Sequence, residues 1–188
     1  DIAAALASAE QSVGLDGRDA MGHWSLGRAQ FLSQQHDLAL DSIDRALRVN
    51  PNYAQGHYAR GFVGFHAGED EQTLLELDTA RRLSPFDPLM FAMTSSRALT
   101  LALGGQVEEG ARLAVSATQQ PNAHFHIFAI AAACLEMAGQ HERAREQMAK
   151  AKARHPGYSV EVFFRSFPHK LPARRQLMEA SLRGAGLE

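Results

Sequence analysis

Small residues recur along this chain at a nearly constant separation, and this repetition constrains the fold more than any other feature. One series of small residues, 34, 37 and 34 positions apart, consists of Gly27, Gly61, Ala98 and Ala132. A second series with the same separations consists of Ala46, Ala80, Ala117 and Ala151. Because both series share one period and slip by three residues at the same place, the chain is predicted to consist of stacked units.

Each unit has the pattern of two helices joined by a short turn. The first helix is predicted over residues 20–33, 54–67, 88–104 and 123–138, and the second over 37–49, 71–83, 107–119 and 141–155. The turn between them contains Gln34, Gly68, Gly105 or Gly139, and a proline closes each unit because it disfavours helix in the residue before it. Small side chains let neighbouring helices approach closely, so packing accounts for the spacing without a catalytic role.

The period and its fixed positions resemble those of tetratricopeptide repeats (TPRs). The stretch WSLGRAQFLSQQHDLALDSIDRALRVNPN, residues 24–52, matches such a repeat almost column for column. The resemblance covers about residues 1–156 and implies an all-α fold, a right-handed superhelix of antiparallel helix pairs. We therefore expect a partial repeat, four repeats and a pair of capping helices, over residues 1–17, 20–53, 54–87, 88–122, 123–156 and 157–188.

The two ends of the sequence depart from the repeat. The start, DIAAALASAEQSVGLDG, has the pattern of the second helix of a preceding repeat, so we expect the chain to be part of a longer protein. Near the other end, six apolar residues on otherwise basic helices are predicted to cover the fourth repeat, namely Phe163, Phe164, Phe167, Leu177, Met178 and Leu182.

The segments LSPFDP and LRGAGL resemble the C-terminal repeat regions of bacterial multidomain regulators. In those proteins such arrays follow a nucleotide-cyclase or winged-helix domain. The resemblance implies a regulatory signalling module in the cytoplasm, although the parent protein could be anchored to a membrane.

No grouping of residues predicts catalysis, a cofactor or a metal. HERAR at 141–145 has Arg145 where the zinc-protease motif needs its second histidine. His23 and His57 share one column of the repeat, about 10 Å apart, which is too far to bind one ion. GFVGFHAG at 61–68 lacks the Lys-Ser/Thr of a phosphate-binding loop. Cys134, the only cysteine, is predicted to be a buried thiol. We therefore predict that this chain is not an enzyme.

The remaining prediction is a surface for partners. The first helices of TPR proteins line a concave groove, and the resemblance implies that it binds a peptide or a partner helix. Carried over position by position, the predicted partner-binding residues are Trp24, Arg28, Tyr58, Phe62, Ser95, Ser96 and His126. Trp24 and Tyr58 are the expected anchors, and Arg28, one turn from Trp24, could bind an acidic group beside them. The groove lacks the Lys/Asn set with which chaperone-binding members hold a C-terminal carboxylate.

Two alternatives concern residues of this predicted groove. Phe31, Phe62 and Phe65 have a spacing that is typical of a buried face, so at least one is expected in the core. Arg60 and Arg97 stand where an apolar residue is usual. Each either packs its stem in the core with its charge in solvent or contacts the partner.

The distribution of charge has two interpretations, a solvated basic face or a surface for a second kind of partner. Residues 143–183 hold ten Lys and Arg against three Glu, whereas the whole chain has a net charge of −2. Such a segment could bind nucleic acid or an acidic protein, and the asymmetry could also favour self-association. Nucleic acid is the less favoured partner because the segment's only aromatic residues besides Tyr158 are Phe163, Phe164 and Phe167, which are expected in the core of the cap.

Overall fold

The computed structural model describes residues 1–188 and contains eleven helices and no strands, which confirms the all-α prediction. The chain divides into two compact units, Asp1–Pro85 and Phe86–Glu188. None of the helices is long and apolar enough to cross a membrane. The first unit contains α1 (Ile2–Leu15), α2 (Ala20–Leu32), α3 (His36–Val49), α4 (Ala54–Ala67) and α5 (Asp70–Leu83). The second contains α6 (Met90–Leu103), α7 (Val107–Thr118), α8 (Phe125–Met137), α9 (His141–Arg154), α10 (Val160–Ser166) and α11 (Pro172–Gly184).

In the first unit, α2 packs against α3 and α4 against α5. Gly27 lies where the first pair crosses, and a Cβ atom there would lie 2.6 Å from Ile43 Cγ1 and 2.9 Å from the Ala39 carbonyl oxygen. Gly61 occupies the equivalent crossing of the second pair, where an added Cβ atom would lie 3.1 Å from the Thr73 carbonyl oxygen. The predicted reason for this small-residue column, close approach of two helices, is confirmed at both positions.

In the second unit, α6 packs against α7, and α8 packs against α6, α7, α9 and α11. Every residue of α8 from His126 to Leu135 is buried because helices surround it. Cys134 is among these residues, which confirms the predicted buried thiol, and burial raises the pKa of this thiol to about 12.

The last two helices of the second unit bury most of the predicted apolar residues. Phe163, Met178 and Leu182 have no exposed surface, and α11 lies against α8. Leu177 is an exception, since 47 % of it is exposed. Its predicted place in the apolar layer is wrong because successive residues of a helix point about 100° apart, and Met178 takes the inward position.

The turn inside each helix pair adopts the left-handed backbone conformation at one position. Its residues have φ of 63°, 101°, 92° and 69° and are Gln34, Gly68, Gly105 and Gly139. In each case the next residue donates its N–H to the carbonyl five positions earlier at 2.9 Å, as from Gln35 to Gln30. This hydrogen bond closes a Schellman motif, which explains the glycines of this column.

Candidate functional site

The most distinctive side-chain grouping of the first unit lies where α2 meets α4. The indole ring of Trp24 packs edge-on against Tyr53, with 6.4 Å between ring centroids. One turn further along α2, the guanidinium of Arg28 lies 5.0 Å from the ring centre of Phe62 and 6.0 Å from that of Phe31. We call these five residues the α2–α4 cluster.

Three polar atoms of the α2–α4 cluster have no hydrogen-bond partner although they are shielded from solvent. They are Trp24 Nε1, Arg28 Nη1 and the Tyr53 hydroxyl. A buried donor without an acceptor costs free energy, so native structures rarely leave one unpaired. Arg28 also has no carboxylate partner, and its guanidinium lies over the rings of Phe62 and Phe31.

The predicted binding residues of the first unit differ in how much surface they retain. Trp24, Arg28 and Tyr58 are half-buried and keep part of their side chains accessible. Phe62 is only 7 % exposed and packs against Phe31, with 5.3 Å between centroids. Together with Phe65, these phenylalanines form core, which confirms the alternative interpretation. Phe62 therefore packs beneath the guanidinium of Arg28 and exposes little surface to a partner.

The three predicted residues of the second unit are not accessible. Ser95, Ser96 and His126 are 1 %, 8 % and 9 % exposed. The two serines are buried because α6 packs on α7 and α8. Rings of Phe163 and Phe167 lie against His126, with centroids 6.2 and 4.8 Å from its own. In this conformation these three residues therefore have little surface with which to contact a partner.

His126 instead takes part in a buried polar contact. Its Nδ1 lies 2.7 Å from the hydroxyl of Tyr158. Burial, followed by the charges of His124 and His155, lowers the pKa of His126 to about 4, and burial raises the pKa of Tyr158. At neutral pH the pair is therefore an uncharged hydrogen bond inside the second unit.

Histidines of the first unit hold turns in place. Nε2 of His23 lies 3.0 Å from the carbonyl oxygen of Gly17, and Nε2 of His57 lies 2.9 Å from that of Pro51. Each contact spans six residues. The histidine at this position of the repeat therefore holds the turn that precedes its own helix. The other ring nitrogen of His57 contacts Glu76 at 2.6 Å. No group of three His, Cys, Asp or Glu side chains is placed to hold a metal ion.

Arg60 does not leave its charge in solvent, as one of the two alternatives predicted. Its guanidinium contacts Asp44 at 2.8 Å and Glu69 at 2.6 Å, and thereby joins α4 to α3 and to the turn before α5. Burial alone would lower the pKa of Arg60, but its hydrogen bonds with Glu69 and Asp44 raise it above the usual value. Arg97 is half-buried on α6.

The basic segment 143–183 uses several of its charges internally. Arg154 lies 4.0 Å above the ring of Phe128, and Arg175 lies 3.8 Å above that of Phe164. Lys152 donates to the carbonyl oxygen of Gly186 at 3.1 Å. Exposed cations without a polar partner remain at Arg145, Lys150 and Arg165. The basic surface is therefore smaller than the charge count of the segment indicates.

Sequence reasoning missed Tyr53. It follows the Asn-Pro-Asn that closes a unit, so its position indicates a linker. The structure places it directly before α4, against Trp24. An aromatic residue next to a helix start was the only available signal.

Antiparallel helix pairs with small residues at their crossings define a TPR fold, and solved structures share it. TTC0263, a thermophilic TPR protein of Thermus thermophilus, has a TM-score of 0.72 at 21 % identity over 97 % of this chain and 91 % of its own. PilW, a widely conserved type IV pilus biogenesis factor, has a TM-score of 0.75 at 17 % identity over 97 % of this chain and 85 % of its own.

YrrB, a TPR protein with an unusual peptide-binding site, has a TM-score of 0.58 at 22 % identity over 84 % of this chain and 79 % of its own. No protein-family profile matches the chain. No curated protein sequence matches it either. At these identities the likeness establishes the fold alone.

Proposed function

We propose that this chain is a non-catalytic interaction module that binds a peptide or helix of another protein through Trp24, Arg28 and Tyr58. The observation that carries the proposal is the α2–α4 cluster, where half-exposed aromatic and cationic side chains adjoin polar atoms that lack partners. A TPR fold and the peptide-binding site of YrrB support a peptide as the ligand class. The likeness to repeat regions of bacterial regulators favours a role inside a larger regulatory protein.

The physical argument is that few side chains supply most of the binding energy of an interface. Trp, Tyr and Arg are enriched among such residues because they bury a large area and still form directed polar contacts. Trp24 and Arg28 are four residues apart on α2 and therefore share one face of the helix. Tyr58 lies on α4, 5.9 Å from Phe62 between ring centroids.

The proposal is tested by selecting binders from a random peptide library and measuring their affinity by calorimetry. Trp24→Ala, Arg28→Ala and Tyr58→Ala should each weaken binding by about 2 kcal/mol, roughly thirty-fold. Arg45→Ala is the matched control, because Arg45 is an exposed arginine on α3 outside the cluster. Equal losses from Arg45→Ala, or unfolding of the Trp24→Ala variant, would show that these residues are scaffold.

A second candidate function is binding of nucleic acid or an acidic protein through Arg145, Lys150 and Arg165. These exposed cations on α9 and α10 are the observation that favours it. Affinity for duplex and single-stranded DNA, measured over a range of salt concentrations, should then fall steeply with salt. Replacing the three residues with Gln should remove that salt dependence. A flat salt response would exclude binding of nucleic acid through these residues.

A further inference from the structure

We infer that the α2–α4 cluster binds a carboxylate, namely the side chain of an Asp or Glu in the partner peptide. Arg28 supplies the charge, and the Trp24 indole N–H and the Tyr53 hydroxyl supply further hydrogen bonds. This inference rests on the proposed function and specifies the chemistry of the ligand.

The first step is the hydrogen-bonding capacity of the three unpartnered atoms. A guanidinium nitrogen and an indole nitrogen can only donate, and a tyrosine hydroxyl can donate as well. All three are shielded from solvent without an acceptor. Burial, followed by the charge of Asp19, raises the pKa of Tyr53, which keeps its hydroxyl protonated as a donor. The ligand that fits three such donors presents acceptor oxygens.

The second step is charge. The guanidinium of Arg28 lies over Phe62 and Phe31 and has no counter-ion. The half-buried Arg60 of the same unit, in contrast, contacts two carboxylates. Asp19 makes no ion pair with Arg28 and instead accepts hydrogen bonds from the backbone N–H groups of Met21 and Gly22 at 2.9 Å. A half-buried arginine without a partner favours an anionic ligand, and its planar fork matches a carboxylate.

The third step is the source of the carboxylate. The half-exposed ring of Trp24 lies one turn from Arg28 on α2, and the half-exposed ring of Tyr58 lies on α4 beside Phe62. A residue inside a peptide can place its acidic side chain on Arg28 and its apolar neighbours on these rings. A C-terminal carboxylate has a neighbouring residue on one side only, so it could place apolar residues on one side of Arg28 but not on both. We therefore assign the site to an internal Asp or Glu next to apolar residues.

The test uses the highest-affinity peptide from the selection, with both ends blocked, and a partner peptide in which each Asp or Glu is changed to Asn or Gln. Trp24 is the only tryptophan, so its indole N–H gives a single nitrogen-15 resonance that reports directly on the site. The acidic peptide should shift this resonance. The amide peptide should bind about ten-fold more weakly or worse, in keeping with the strength of hydrogen bonds to charged groups.

Arg28→Gln separates recognition from support of the fold. This variant should bind the acidic peptide only as tightly as it binds the amide peptide. Its affinity for the amide peptide should equal that of the unmodified protein. Arg28→Lys should restore part of the affinity, and Tyr53→Phe should cause a several-fold loss. Arg45→Gln, the exposed arginine of α3, is the matched control and should change neither affinity.

The outcomes distinguish this inference from the proposed function. If the acidic and amide peptides bind equally, or Arg28→Gln weakens both to the same degree, the carboxylate assignment is wrong. The proposed function still stands if Trp24→Ala and Tyr58→Ala reduce binding, and it falls as well if they do not. If only peptides with a free C-terminus bind, and amidation of that terminus abolishes binding, the ligand is the terminal carboxylate and the side-chain assignment is overturned.

Discussion

At the residue scale, backbone conformation governs one column of the repeat. The four equivalent turn residues all have positive φ, and three of them are glycines. Gln34 is the exception and holds φ of 63° with its side chain in solvent. A residue with a Cβ atom loses about 1–2 kcal/mol in this conformation, which glycine avoids.

Gln34→Gly is therefore expected to stabilise the protein by about 0.5–1 kcal/mol, since relief of strain exceeds the extra backbone entropy of glycine. Urea unfolding would measure the change in midpoint. Gly68→Ala is the matched control at the equivalent turn, where φ is 101°, and should destabilise the protein by a similar amount. A lower stability of Gln34→Gly would contradict the assignment of strain.

Gly27 shows the opposite constraint, because its role depends on space. The Cβ atom of Gly27→Ala would meet the Ala39 carbonyl oxygen at 2.9 Å, and a backbone atom yields only if α2 and α3 separate. We expect a loss of about 1–2 kcal/mol despite the better helix propensity of Ala. Gly14 lies in the exposed part of α1, where an added Cβ atom would meet no other atom within 4 Å. Gly14→Ala should therefore increase the free energy of unfolding by about 0.5–1 kcal/mol. Equal effects of the two variants in thermal unfolding would refute the packing argument.

At the scale of helices, α11 determines whether α8 has a covered face. α8 is apolar except at His126 and Glu136, and α11 packs against it. Met178 and Leu182 of α11 are fully buried. Repeat arrays need such a modified end because an uncovered apolar face promotes association. The predicted capping function thus depends on one face of α11.

Met178→Ala should cost about 2–5 kcal/mol, the range for removing a large buried side chain. Leu177→Ala changes the neighbouring residue, which is 47 % exposed, and should alter stability by less than about 0.5 kcal/mol. Chemical denaturation of both variants gives the comparison. Similar losses from the two would mean that α11 is oriented differently from the structure described.

At the scale of the whole molecule, charge is divided between the two units. Residues 1–85 carry twelve acidic and seven basic side chains, a net charge of −5, and residues 86–188 carry nine acidic and twelve basic ones, a net charge of +3. The second unit also contains His126, whose buried ring has a pKa well below its usual range. The two units should therefore respond differently to acid.

Stability should fall between about pH 6.5 and pH 4. In this range the unfolded chain protonates His126 whereas the folded chain, with a pKa of about 4, does not. Proton binding by the unfolded state thus lowers the free energy of unfolding, by up to about 3 kcal/mol at 1.36 kcal/mol per pKa unit. His126→Asn should make urea stability less dependent on pH in this interval. An unchanged pH dependence would show that His126 is not the responsible group.

The repeating pattern determined the helix pairs because close helix crossings demand small residues, and that demand appears as a period in the sequence. Gly27 and Gly61 could be assigned this role before any coordinates were known, and both are confirmed at crossings. The third pair begins later than predicted, at Met90, because Asp87 accepts a hydrogen bond from the Leu89 N–H at 2.8 Å and holds Pro88 outside the helix.

Accessibility could only be decided by the tertiary structure, because it depends on residues far apart in the chain. Ser95 and His126 occupy the same kind of repeat position as Trp24, yet they are buried. His126 is covered partly by Tyr158, 32 residues later, whose position no period predicts. Arg28 and Arg60 both stand next to the small residue of a first helix. Only Arg60 forms ion pairs, because Asp44 of α3 and Glu69 before α5 lie next to its guanidinium. The sequence therefore determined the repeated backbone through local spacing, whereas long-range packing decided which side chains remain accessible.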